Sequence, residues 1–419
     1  MVSLDDIVIT GVGCVTPVGI GGQAFAASLK SGICGVRLLV SSPDLAGPHY
    51  GAIIDDFDGR QYITPRKAVK VMCRQVQTAY AAAHLAWQEA AIEHALVTPE
   101  RIGVIYGSEM MTGEIDDLVL AVRNAEKLGG VSNPTWAQTF PRDVAPLWML
   151  KHLPNMPACH VSIAIDARGP SNTIAQEEVS SLEALVEAIS VIEREHADVM
   201  VVGSVGCRVN PARLAYRDYQ FYETSPGKSA EFCRPFDSLH HGIVPGQAAG
   251  AIVIERRRHA IKRGAKILAT VLAAAGRFGR PLTKYGGSGQ ALVAASRRVL
   301  EKAEVGPEDL SHLAAQGYSH PELDRTESEA IEEFAPGVWV TAASSYVGSC
   351  GASSGMMSLI ASLFASRENC VFPILGFAKS ANGCNVRVCK RIQPASTPLF
   401  MVQSFSQTGH AAAAIIQSS

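Results

Sequence analysis

The stretch Arg168–Ile189, RGPSNTIAQEEVSSLEALVEAI, constrains this chain more than any other. Gly169-Pro170 reads as a turn, Asn172 to Ala175 as a short β-rich run, and Ser180 as the start of a helix. Leu182, Leu185, Val186 and Ile189 recur at helical spacing, so at least half of that helix is buried. A strand that turns directly into a buried helix presents whatever stands at the junction to unpaired backbone N–H groups and the positive helix end. An enzyme holds a nucleophile or an oxyanion at such a place. Here the junction carries Gln176, Glu177 and Glu178, and carboxylates also belong at an ordinary helix start, where the dipole favours them. The rest of the chain has to decide between the two.

Apolar strands and helices alternate on either side of this stretch. Asp5 to Gly13 predicts a parallel-sheet strand, and Gly11-Val12-Gly13 does not extend to a dinucleotide fingerprint. Ala68 to Ala95 predicts a long alanine-rich helix, and Arg101 to Gly107 and Ala197 to Gly206 predict further buried strands. Glu109 to Leu153 interrupts the rhythm with methionines, tryptophans and prolines, and reads as an irregular apolar cap or subunit contact. After the strand ending at Glu255, the basic segment Arg256 to Arg263 reads as a helix with a solvated charged face. From Ala265 the same element order starts again and ends in a closing strand, His410 to Ile416. This suggests an internally duplicated α/β unit: residues 1–255 as one half, with the insertion at about 109–153, and 256–419 as the other.

With 419 residues, 47% of them hydrophobic and 18% charged, the chain is long and apolar enough for one large core or two fused ones. A net charge of −2 and a pI near 6.6 leave no footprint for nucleic acid or an anionic membrane. Ten scattered cysteines without metal-ligand spacing predict reduced, mostly buried thiols. The start lacks the basic and apolar segments of a signal peptide, and no uncharged run reaches the roughly 18 residues of a membrane span. A cytoplasmic protein is expected.

Several stretches in order resemble the β-ketoacyl-acyl carrier protein synthase family, the condensing enzymes of fatty acid and polyketide assembly. They are IVITGVGCVTPVG near the start, LPNMPACHVSI at Leu153, RGPSNT at Arg168, SSLEAL at Ser180, ADVMVVGS at Ala197 and CRPFDSLHHGIVPGQAAGAIVIE at Cys233. Asp324 and Glu327 after a glycine turn, and GSCGASSG at Gly348, continue the series. The resemblance covers essentially the whole chain. It implies a thiolase-like fold, α/β/α/β/α in five layers from two fused similar halves, that dimerises next to the central helix. It also implies no bound cofactor or metal, an acyl tunnel, and a surface for acyl carrier protein whose phosphopantetheine arm is a visiting group.

The same resemblance implies a catalytic cysteine, two histidines and a lysine, and this sequence has none of them in place. The cysteine position, nine residues after Gly169, is Glu178. A carboxylate would hold an acyl group only as a mixed anhydride, a far poorer store than a thioester. The first histidine, which opens a glycine turn, is Gln316, followed by Gly317, Tyr318 and Ser319. The second is Ser349, and the lysine five residues before it is Ser344. His320 and Cys350 lie nearby but on the wrong side of each turn. The gate loop reads Phe405-Ser406-Gln407-Thr408-Gly409, with Gln407 for its phenylalanine. His240-His241-Gly242 and Gly246-Gln247-Ala248-Ala249-Gly250 also depart from the family pattern, and the adjacent histidines read as structural rather than metal-binding.

These substitutions predict a non-condensing homologue resembling chain-length-factor subunits, which pair with an active ketosynthase. Glu177, Glu178, Gln316, Tyr318, Ser349, Phe405 and Gln407 are then the pocket candidates. Two alternatives stand beside it. In one, Glu177 or Glu178 acts as general base on an acyl thioester, for hydrolysis or decarboxylation. Otherwise Glu178 is a helix-start carboxylate held by N–H groups and Gln316. In the other, the protein is an acyl-binding regulatory homodimer.

Overall fold

In the computed structural model, which describes residues 3–39, 50–94, 96–111, 115–216, 233–280 and 289–419, the first apolar run is strand β1 (Ile7–Thr16), buried along its whole length. Gly11 and Gly13 serve close contact rather than a turn. A Cβ on either would lie 2.1 Å from a backbone oxygen of the facing helix, that of Ala86 or Ala82. This helix, α1 (Arg74–Ala90), is alanine-rich on the side that meets the strand. It is shorter than the expected Ala68–Ala95. Met72 and Cys73 have extended backbone, at ψ 122° and 168°, which interrupts the helix, so the preceding Arg66–Val71 is a separate 3-10 turn. Ala91 ends α1 in the left-handed region at φ 49°, and residue 95 lies outside the described residues.

β2 (Gly19–Ile20) folds back on β1, and β3 (Ile102–Gly107), β4 (Ser171–Ile174), β5 (Val199–Cys207) and β6 (Gln247–Arg256) complete the first half. The second half holds β7 (Ala269–Phe278), β8 (His312–Ala314), β9 (Trp339–Thr341), β10 (Arg387–Val388), β11 (Leu399–Phe405) and β12 (His410–Ser418). Their hydrogen-bonded order is β10-β9-β8-β11-β12-β7-β1-β6-β5-β3-β4. In the first half β3 runs parallel to β4 and β5, while β6 is antiparallel to β5 and β1. In the second, β8 runs parallel to β9 and β11, while β12 is antiparallel to β11 and β7. Order and direction repeat for five strands of each half, with β10 an addition to the second, which is the duplication expected from the element order.

The halves join where Ile7 to Ile9 of β1 pairs antiparallel with Val271 to Ala269 of β7. β1 is thus antiparallel to both long neighbours, a correction to the parallel strand expected. Its apolar run reports burial on both faces, which any central strand of a layered fold shares, and carries no information on direction.

Between β3 and β4 lie α2 (Asp116–Lys127), α3 (Asn133–Asp143) and α4 (Met156–Ala164); α5 (Ser180–Glu193) follows β4 and α6 (Arg257–Lys262) follows β6. The second half adds α7 (Gly289–Ala303), α8 (Pro321–Phe334) and α9 (Ser354–Arg367). Leu182 and Leu185 of α5 and Met357 and Ile360 of α9 share one core with Ile252 and Ile416 from the two sheet halves. α1 and α4 cover the outer face of the first half, α7 and α8 that of the second. The layers are therefore α/β/α/β/α.

Two further expectations need correction. The stretch Glu109–Leu153 is not irregular: outside 112–114, which are not among the described residues, it forms α2, α3 and a 3-10 turn at Trp148–His152. Pro134 sits in the first turn of α3, where its missing N–H has no partner to lose, and Trp136, Phe140 and Trp148 stack in series at 5.2 and 5.6 Å. Nor is the basic segment simply solvated. The Arg263 side chain is 4% exposed and bonds at 2.6 Å to Glu255, a fully buried carboxylate at the end of β6. Thr10 Oγ1 at 2.6 Å and His259 Nδ1 at 2.5 Å complete the cage around it.

Burial pushes the Glu255 carboxyl up, but the bonds from His259, Arg263 and Thr10 overrule it and bring it down to about 2. The unfolded chain takes up this proton near 4.5, so the cage stabilises the fold above that pH. Its contribution, about 3 kcal/mol, is lost as pH falls toward 2. Urea unfolding should show wild type losing this amount between about pH 5 and pH 2, with Glu255→Gln less stable at neutral pH and flatter across the window.

Candidate functional site

The junction between β4 and α5 is built as expected, a short strand turning straight into a buried helix. Ser180 Oγ accepts from the Gln176 N–H at 2.9 Å and donates to the Glu177 carbonyl at 2.6 Å, folding the turn over the helix start. Glu177 is held in the left-handed region at φ 55°, a strained conformation for a residue with a side chain. Its carboxylate is half-buried, whereas Glu178 points inward and is 5% exposed.

Glu178 meets an arginine rather than Gln316. Its Oε1 lies 2.7 Å from Arg208 Nη2, with both side chains 7% exposed. Arg208 Nε also lies 3.3 Å from Glu109 Oε2, Arg213 Nη1 lies 3.6 Å from that same oxygen, and Glu109 Oε1 accepts the Cys207 N–H at 2.9 Å. Among the described residues two carboxylates and two guanidiniums thus form a buried cluster, which lies against Gly351: a Cβ there would come within 2.5 Å of Arg208 Nε and Glu109 Oε2. Burial pushes the Glu178 carboxyl up, to about 7, against the pull of Arg208 and with the Glu177 and Glu109 charges adding to the rise. A lone carboxylate could not stay charged in this place; the arginine is what makes the residue tolerable.

Gln316 is brought beside this junction through Ser404. The Ser404 hydroxyl lies 2.7 Å from Gln316 Oε1 and 2.8 Å from the Glu178 backbone carbonyl. The turn that carries Gln316 hangs on two buried carboxylates of α8. Glu327 accepts the N–H groups of Gln316 and Gly317 at 2.7 and 2.9 Å, and Asp324 those of Tyr318 and Ser319, both at 3.0 Å. Asp324 also takes His240 Nδ1 at 2.7 Å, which places His240 in the scaffold of this turn. Among the described residues no cluster of three or more His, Cys, Asp or Glu could hold a metal ion, and no helix is long and apolar enough to cross a membrane.

The other expected positions close around the same turn. Ser344 donates to the Gly317 carbonyl at 2.7 Å. Ser349 is buried, its N–H on Val244 and its carbonyl on the Gly246 N–H at 2.8 and 2.9 Å, so the loop after β9 is stitched to the strand entering β6. Tyr318 is fully buried; its hydroxyl donates to the Phe405 carbonyl at 2.5 Å and its ring meets that of Phe405 edge-on at 5.1 Å. These two pocket candidates therefore fill space with each other. Gln407 is half-buried at the hairpin tip beyond Phe405. His320 caps α8 by accepting the Glu322 N–H at 3.3 Å, and the buried Cys350 thiol, its pKa raised by desolvation, donates to the Val347 carbonyl at 3.3 Å.

Sequence reasoning passed over Arg208, Arg213, Ser404 and the role of Glu109. A signal was there. Glu109 and Arg208 stand just past the carboxyl ends of β3 and β5, neighbouring parallel strands, which is where α/β sheets place their sites. Replacing Glu178 by Gln should cost about 3 kcal/mol in urea unfolding, because Arg208 loses its best partner in a desolvated place. Glu178→Leu combined with Arg208→Met should recover most of it, and equal losses in the single and double variants would refute the pairing.

Comparison with known proteins places this architecture. Residues 4–260 match the family model for the beta-ketoacyl synthase N-terminal domain, and residues 268–378 that for the beta-ketoacyl synthase C-terminal domain. The chain is 26% identical over 394 residues to a 3-oxoacyl-[acyl-carrier-protein] synthase 2 of Coxiella burnetii, covering 91% of this chain and 90% of that protein. It is 27% identical over 372 residues to a putative polyketide beta-ketoacyl synthase 1 of Streptomyces virginiae, covering 88% and 86%. In three dimensions it superposes on the ishigamide ketosynthase/chain length factor with a TM-score of 0.86 at 21% identity, covering 99% of both chains. It also superposes on a type II polyketide ketosynthase solved with its acyl carrier protein and a bound hexaketide, with a TM-score of 0.83 at 18% identity and the same coverage. The duplicated thiolase-like halves and the two matched domains together make this chain a member of the beta-ketoacyl synthase family.

Proposed function

We propose that this protein is a non-condensing ketosynthase subunit of the chain-length-factor kind, working beside an active ketosynthase in fatty acid or polyketide assembly. The observation that carries the reading is the Glu178–Arg208 pair at the position where the family resemblance puts the attacking cysteine. Condensation needs a group that accepts an acyl chain, holds it as a thioester and releases it, and then two imidazoles that stabilise an enolate oxygen. Glu178 has its oxygen committed to Arg208, and Gln316 and Ser349 supply an amide and a hydroxyl in place of the imidazoles. An apolar acyl chain has little to gain beside four desolvated charges.

The surface supports a partner subunit. β4 is an edge strand with Ser171 and Asn172 exposed, and an unpaired edge invites another strand. Ile115, Leu120, Leu128, Val131, Leu147 and Met149 are each more than half exposed on the cap, and Ile115 also lines a cavity of about 580 Å³ with Leu118, Val119, Val122 and Trp148. Soluble monomers rarely leave so much apolar surface uncovered. On this reading the partner is a ketosynthase that keeps its cysteine, and the acyl carrier protein delivers its phosphopantetheine arm to that active subunit.

The alternative, hydrolysis or decarboxylation with Glu178 as general base, draws on a carboxyl raised to about 7. The Arg208 bond opposes it, since the guanidinium favours the charged carboxylate and so weakens its hold on a proton. Co-expression with an active ketosynthase separates the readings. A stable one-to-one heterodimer by light scattering, with no acyl adduct on this chain in intact-mass spectra after exposure to acyl carrier protein, is the expected result. Elongation or turnover by the purified chain alone would overturn it. Glu178→Cys should remain inactive in elongation, because a thiol without the two imidazoles has no means to stabilise the enolate.

A further inference from the structure

A second cleft opens on the other side of the gate hairpin, between α5, α7 and the adjoining ends of β7 and β12. It encloses about 550 Å³ and is lined by Gln176, Glu183, Arg277, Phe278, Arg298, Lys302 and His410, among others. Three permanent cations face one carboxylate there, Arg277 from the end of β7 and Arg298 and Lys302 one turn apart on α7. Lys302 makes no ion pair among the described residues. Arg298 shares one nitrogen with Glu301 at 2.7 Å, a pair within one helix turn whose carboxylate side is 70% exposed and which therefore holds it weakly. Among the described residues Arg277 hydrogen-bonds the adjacent Gly276 carbonyl alone, at 2.7 Å. The single acid, Glu183, has its carboxyl raised by burial with Arg277 pulling it down, and lies against Gly276, so it occupies the floor rather than the mouth.

The rim adds a feature that charge alone does not require. Phe278 is 65% exposed, a large apolar ring left in water, and stands edge-on to His410 at 4.7 Å. Guanidinium and ammonium groups converging on one hollow match the oxygens of a phosphate, and a neighbouring open ring matches a flat or apolar group attached to it. We propose that this cleft binds a phosphate monoester, its phosphate held by Arg277, Arg298 and Lys302 and its organic part laid on Phe278. The site is separate from the Glu178 cluster and stands or falls independently of the non-condensing reading.

Calorimetric titration of the full-length protein with inorganic phosphate and with phenyl phosphate tests it. Phenyl phosphate should bind about tenfold tighter than inorganic phosphate, both weakening with added salt. The double variant Arg298→Gln/Lys302→Gln should weaken both by about tenfold or more with no change in melting temperature, since both side chains lie at the surface. Phe278→Ala should weaken phenyl phosphate alone, and Glu183→Gln should tighten both by removing the competing charge. Binding that the double variant leaves unchanged, or no binding at millimolar ligand, overturns the site. Equal affinity for the two probes with a silent Phe278→Ala reduces it to a free-phosphate site and refutes the ester.

Discussion

A carboxylate and a guanidinium buried together at the strand-to-helix junction set the terms for everything around them. Neither Glu178 nor Arg208 could be left charged alone where each is 5% exposed. Glu109 and Arg213 extend the pair to four alternating charges, and the backbone N–H of Cys207 takes the remaining oxygen of Glu109. The arrangement needs β3 and β5 side by side, Gly351 with no side chain, and α5 starting where it does. Among the described residues each charge of this cluster faces an opposite one, which fixes the side chains against one another.

The turn that carries Gln316 obeys a different logic. Four successive N–H groups, Gln316 to Ser319, all end on the carboxylates of Asp324 and Glu327 inside α8. None of these bonds involves the side chains at 316, 318 or 319, so the loop keeps its shape whatever stands there. The same holds at Ser349, whose main-chain bonds to Val244 and Gly246 do not consult its hydroxyl. Backbone-held loops explain how a frame persists while the groups displayed on it change their chemistry.

Much of this was legible in the sequence because it rests on patterns that a chain displays directly. The junction at Glu178, the second α/β unit and the closing strand at His410 follow from periodicity and turn residues. What was hidden depends on contacts between distant residues. The 3-10 turn before α1 is set apart by extended backbone at Met72 and Cys73, the direction of β1 comes from partners more than two hundred residues away, and the burial of Arg263 from Glu255 beneath it. At the site, Glu178 could be found but its partner could not: Arg208 follows an apolar strand and looks in the sequence like the first polar residue of a loop.

The duplicated architecture gives this site its position. α5 and α9 are equivalent helices of the two halves, and their starts meet, with the Met356 N–H of α9 on Ser181 Oγ of α5 at 3.1 Å. Both helix starts direct unpaired N–H groups and positive dipole ends toward the same region. Negative charge is therefore favoured there before any particular side chain is chosen. A thiolate uses that field for nucleophilic attack, because the field lowers the cost of forming the anion. A carboxylate in the same place needs no such help to ionise in water. Buried, it leans on both the field and Arg208, and both hold its charge in place. Tyr318 lies beside it: its hydroxyl on the Phe405 carbonyl ties β11 to the turn, and the two rings fill the space between them.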